Sequence, residues 1–127
     1  MDRFKKEKRL LELIDPLGRK IILGDSEYKH VKKCHPFEAL LIETAKDTIN
    51  NPISIWEDEK IKNEEEKAWY YFNEIEPEKV ELTKIQKPYI IIIVKKRRGN
   101  FRIVTWYAYN NLSKKGAGKI WERKKEK

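Results

Sequence analysis

Ile90 to Val94 form an unbroken apolar run, IIIIV, of β-branched residues. That pattern suits a central strand covered on both faces. Phe101 to Tyr109 are rich in aromatic and β-branched residues and predict a second strand. Arg98-Gly99-Asn100 between them reads as a turn, with Gly99 free to take positive φ. Upstream, Ile53 to Trp56 and Trp69 to Phe72 predict two further strands. The four segments, 53–56, 68–73, 89–95 and 101–108, order as an antiparallel meander. Nearer the start, Leu10, Leu11, Leu13 and Ile14 precede Asp15-Pro16-Leu17-Gly18, a turn with Pro at its second position, and Lys20 to Leu23 follow. This reads as strand, turn, strand, with a short helix over 4–14 as the alternative.

Between the strand pair and the meander the period changes. Gly24-Asp25-Ser26-Glu27 signals a helix start, with Asp25 or Ser26 as cap, and the helix should reach about Lys33. Pro36 disfavours the helical state at His35 and can open a second helix. Phe37, Leu40, Leu41, Thr44, Ala45 and Thr48 give that helix a core face, and it should end near Asn50-Asn51-Pro52. Residues 57–66 read as a charged loop and Glu74 to Glu81 as a connector. The tail from Leu112 is rich in Gly and Lys, either a docked element on Ile120-Trp121 or a loose basic arm. The expected fold class is α+β: N-terminal helices packed on a four-stranded antiparallel β-sheet, with an extra N-terminal strand pair and a basic C-terminal tail.

Composition adds one domain of 127 residues with a formal net charge of +8. The charge is polarised. From Leu82 to Trp121 there are ten Lys or Arg and no Asp or Glu, while Glu57 to Glu81 hold ten acids against four bases. A basic ribbon of this kind points to a polyanion. A single cysteine, Cys34, excludes an internal disulfide and fits a reducing, cytoplasmic setting. Neither a signal peptide nor a membrane span is expected. One cysteine and two histidines do not make a zinc tetrad, so no metal site and no cofactor are expected.

The candidate chemistry lies in a few residues. His30 and His35 are the groups that titrate near neutrality, so they are acid–base candidates; the plainer reading packs His35 at a helix junction. On one helix five residues apart they would not share a face. With Arg98-Gly99 at the turn, Lys95 falls opposite Arg102 and Ile93 opposite Val104. Like charges directly opposite are unfavourable unless something offsets them, and a phosphate would. Strict alternation puts Arg102 and Thr105 on opposite faces unless a bulge intervenes. Tyr89, Phe101, Trp106, Tyr107 and Tyr109 interleave with the cations, a combination that suits single-stranded RNA.

The order of these motifs resembles the phage-associated barnase–EndoU–colicin–RelE-like nucleases. The matching stretch is GDSEYKHVKKCHPFEALLIETAKDTINNPISIW, with His30, then His35-Pro36, then Asn51-Pro52 at a helix end. The aromatic strand Trp69 to Phe72, the apolar strand Ile90 to Lys95, and Thr105 and Tyr107 in IVTWYAY follow in family order. Cys34 stands where the pattern has a base, and Phe37 separates Pro36 from Glu38. The likeness covers about residues 20–110, leaving 111–127 as tail.

The resemblance implies helices on a four-stranded sheet and metal-independent endoribonuclease activity through 2′-OH attack. It implies RNA as the partner, in a toxin-like or phage-associated setting where a cognate inhibitor or antitoxin is expected. Catalysis falls to His30, His35, Arg102, Thr105 and Tyr107, and RNA binding to Lys95, Lys96, Arg97 and Arg98. The alternatives are a non-catalytic nucleic-acid-binding module and a protein-interaction module of the same fold.

Overall fold

A computed structural model describes residues 8–83 and 85–124, except for the side chains of 82 and 83. Seven strands and four helices follow in the order β1 (Arg9–Ile14), β2 (Lys20–Gly24), α1 (Asp25–Cys34), α2 (Pro36–Ala39), α3 (Ile42–Asn50), β3 (Ser54–Asp58), β4 (Ala68–Glu74), α4 (Pro77–Thr83), β5 (Tyr89–Arg97), β6 (Asn100–Tyr109) and β7 (Ala117–Glu122). The class is α+β. The sheet, however, is one mixed sheet of seven strands in the order β1-β2-β6-β5-β4-β3-β7, not a four-stranded meander with a separate strand pair.

Two extensions make the difference. Ile21, Ile22 and Leu23 are fully buried, so β2 needs neighbours on both sides. It finds β1 on one side and pairs parallel with β6 on the other, through Ile21 with Phe101 and Ile22 with Arg102. At the far edge, residues of the Gly- and Lys-rich tail form β7 and cover the hydrogen-bonding edge of β3. The tail is therefore a docked strand; its residues 125–127 lie outside the described range, as do residues 4–7 of the alternative N-terminal helix, whose remaining residues 9–14 are strand.

The β1–β2 turn is held by Asp15. Its carboxylate accepts the Leu17 and Arg19 amides at 3.0 and 2.8 Å, the Arg19 Nε–H at 2.9 Å and the Tyr71 hydroxyl at 2.5 Å. Arg19 lies over the Trp69 and Phe101 rings, which ties the turn to β4 and β6. In the β5–β6 turn both central residues take positive φ, Arg98 at 52° and Gly99 at 79°, the arrangement that matches strand twist in a two-residue hairpin.

The helices cover one face of the sheet. Val31, Leu41, Ala45 and Ile49 pack on Trp69, Tyr71, Ile90, Ile92, Val94, Ile103 and Trp106. α1 opens after Gly24 without a side-chain cap; Asp25 instead pairs with Lys29 at 3.1 Å, and Ser26 bonds Glu27. The second helix is broken at Leu40-Leu41, which turns the chain. Ala39 and Leu41 go inward, and Phe37 and Leu40, expected in the core, are 55% and 69% exposed. The acidic connector contains the unexpected short helix α4, with Pro77 at its start.

The opposite, outer face carries Tyr70, Phe72 and Ile91, with Trp56, Ile93, Tyr107 and Tyr109 around them. Residues 110–116 strap across this face on the way from the end of β6 to the start of β7. Leu112 and Ala117 belong to the same cluster, and the Lys114 ammonium lies 5.6 Å above the Tyr70 ring.

Candidate functional site

A β-bulge in β6 sets the geometry of the candidate residues. Ile93 pairs with Thr105 and Val94 with Ile103, so Val104 is the extra residue. The expected pairing of Ile93 with Val104 is corrected accordingly, while Lys95 does face Arg102. Before the bulge Phe101 and Ile103 point to the helices; after it Trp106 and Ala108 do. Arg102, Thr105 and Tyr107 consequently share the outer face, which strict alternation would have prevented.

His35 joins them from the side. β2 pairs with β6 only at Phe101 and Arg102, and α1 and α2 pack along the rest of β6. Tyr28 stacks on Trp106 with ring centres 6.1 Å apart, and the Trp106 indole N–H donates to the Glu38 carbonyl at 2.7 Å. The Glu38 carboxylate accepts the Ala108 amide at 3.4 Å, so a helix satisfies a sheet-edge donor. The break before Pro36 then lays the His35 ring on Tyr107, 5.3 Å between centres and tilted by 30°. Its Nδ1 lies 4.0 Å from Glu38 Oε2, and the side chain is 32% exposed. His30 is exposed on α1, and its Nδ1 faces the Cys34 thiol at 3.7 Å; among the described residues no ring contact or hydrogen bond joins it to Thr105 or Tyr107.

The cations are more compensated than their neighbours in sequence suggest. Arg102 is buried, and its Nε and Nη2 both donate to Glu27 Oε1 at 2.7 Å. The unfavourable Lys95–Arg102 juxtaposition is thus offset by a carboxylate from α1, without need of a phosphate. Burial pushes the Glu27 carboxyl up, but the Ser26 hydroxyl and Arg102 outweigh it and hold the group below the usual carboxylate range. At the hairpin tip Lys96 pairs with Glu64 at 3.1 Å, and Arg97 donates to the Glu65 carbonyl at 3.2 Å. The charged loop between β3 and β4 therefore folds back on the basic tip. Among the described residues no carboxylate pairs with Lys95, which is half-buried beside the site.

Two hydroxyls complete the patch. Thr105 Oγ1 is buried and makes no hydrogen bond to the protein. The Tyr107 hydroxyl is held above the ordinary phenol range by burial and by Tyr109, so it stays a neutral donor through physiological pH. The Lys95–Arg102, Ile93–Thr105 and Ile91–Tyr107 rows lie in succession along the hairpin. Their spacing spreads the patch over about 13 Å.

Glu27 carries no signal in the sequence except one that can be read backwards. A buried arginine on a strand without acids must draw its partner from another element. Among the described residues no group of three or more His, Cys, Asp or Glu converges as metal ligands would, and no helix is long and apolar enough to cross a membrane. Comparison with protein-family models, with curated proteins and with solved structures finds no match to this chain.

Proposed function

We propose that this chain is a metal-independent endoribonuclease, similar in kind to the barnase–EndoU–colicin–RelE-like nucleases whose motif order it shares. The observation that carries the reading is the His35 ring on Tyr107, on the face that also holds Thr105 and the Lys95–Arg102 pair. His35 removes the proton from a ribose 2′-OH, and the 2′-oxygen attacks the adjacent phosphorus. The P–O5′ bond breaks, the imidazolium returns its proton to the leaving oxygen, and a 2′,3′-cyclic phosphate remains. Lys95 neutralises the phosphorane, with Arg102 behind it in the grip of Glu27. Tyr107 and Thr105 donate hydroxyl bonds to the phosphoryl oxygens, while Lys96, Arg97 and Arg98 lie along the flanking backbone. His30, turned to Cys34, has no part in this step.

The test is incubation of the purified protein with RNA in EDTA, with mapping of the new ends. Cyclic phosphate ends that vanish in His35→Ala are expected; intact RNA after long incubation would remove the enzyme reading. A second reading is a protein-interaction module of the same fold, favoured by the internal pairing of Arg102, Lys96 and Arg97, which leaves fewer cations for a phosphate. In that case the chain shows no salt-dependent affinity for RNA and never cuts it.

A further inference from the structure

The candidate site has a floor and one wall described so far: β5 and β6 below, and α1 with α2 along the outer edge of β6. Its other boundary is the strap 110–116. Tyr70, Ile93 and Thr105 are cross-strand partners in one row over β4, β5 and β6. Lys114 sits over Tyr70 at one end of that row, and the unpartnered Thr105 hydroxyl lies at the other. Tyr70 and Thr105 are themselves two strand spacings apart, ~10 Å. The Tyr70 hydroxyl is committed to Asp58 at 2.9 Å, so Lys114 is the cationic group this side of the row turns toward the floor.

We infer that the strap is the second wall of an RNA-binding cleft, and that Lys114 binds a phosphate flanking the one at Thr105. The inference rests on the RNA reading given above and narrows its substrate. A floor two strands wide between a helix wall and a strap admits a single strand laid along it. A duplex is too broad to lower a phosphodiester onto Thr105. The partly buried rings of Tyr107 and Tyr109 meet edge to face on the same floor, 6.1 Å between centres, with the His35 ring on Tyr107.

The experiment uses the full chain carrying His35→Ala, which leaves the RNA intact. A fluorescein-labelled oligoribonucleotide is titrated in EDTA, once single-stranded and once annealed to its complement. Lys114→Ala should weaken single-strand binding by roughly 5–10-fold and lower the salt slope by about 0.7, the release of one counterion. Lys114→Arg and the control Lys46→Ala, on α3 across the sheet, should stay within about twofold of the parent, and the duplex should bind at least about tenfold more weakly. Thermal melting of each variant separates lost binding from lost folding. Unchanged binding in Lys114→Ala, or equal affinity for the duplex, would overturn the inference. A wild-type chain that cuts RNA while Lys114→Ala binds normally removes the strap wall and keeps the nuclease. Lys114-dependent binding by a chain that cuts nothing does the reverse.

Discussion

Glu27 and Arg102, seventy-five residues apart, meet at 2.7 Å through two donors on a single carboxylate oxygen. Helix α1 is thereby pinned to β6 at the point where the parallel pairing with β2 ends. Removing the carboxylate leaves a buried guanidinium short of its main counter-charge. Glu27→Gln should cost about 2–3 kcal/mol in denaturant unfolding, below the full penalty for a buried pair because Arg102 keeps other contacts. The double variant Glu27→Leu/Arg102→Met should lose less than either single change.

The same pair shapes the acid response. Glu27 titrates lower in the folded chain than its ordinary value of 4.5. Its contribution is therefore complete above that value and is lost as pH falls through the lower, folded one. Stability of the parent should drop steeply below about pH 4.5, and the Glu27→Gln curve should be flatter there. Unfolding curves between neutral and strongly acid pH read this directly; parallel acid limbs would contradict it.

His35 and His30 are expected to part company in activity. His35→Ala should lower the rate of RNA cleavage by at least about 10²-fold, the usual contribution of a positioned acid or base. His30→Ala should stay within about twofold. Both side chains are partly or fully exposed, so neither melting temperature should move much. Equal losses in the two variants would return His30 to the site.

Thr105 sets stability against activity. Its buried hydroxyl lacks a partner, and Thr105→Val replaces it with a methyl of similar size. The substitution should stabilise the fold by about 1 kcal/mol, the desolvation of an unmade hydrogen bond. Cleavage should fall at the same time. A destabilised Val variant would mean that the hydroxyl has a partner after all.

Arg98, assigned above to the RNA backbone, also offers a test of the turn through stability alone. A non-glycine residue at φ 52° costs about 1–2 kcal/mol, and Asn tolerates that region better. Arg98→Asn should raise stability by about 0.5–1 kcal/mol with the hairpin register unchanged.

Much of the sheet was written locally. The run at Ile90, the Arg98-Gly99 turn and the aromatic strand at Trp69 need only period and turn chemistry, and they stand where the pattern puts them. The residues that escaped are those whose partners are remote. Nothing near Ala117 to Glu122 announces a strand, because its pairing is supplied by the open edge of β3. The continuous helical spacing from Phe37 to Thr48 conceals a break that only packing imposes, which is why Phe37 and Leu40 face solvent. At the site, His35, Thr105 and Tyr107 could be named from sequence, but their common face depends on the bulge at Val104. The neutralising acids Glu27 and Glu64, and the Glu65 carbonyl that accepts from Arg97, reach the basic ribbon from other elements, so a count of charges along the ribbon overstated its exposure.

The strap and β7 are one covalent piece, and they do two jobs at once. A chain cut after Tyr109 would strip the ladder partner from Trp56 and uncover the oily underside of Phe72 and Ile91 in a single event. Such a fragment should clump edge to edge, so loss of this segment should precipitate the chain even with β1 to β6 untouched in sequence.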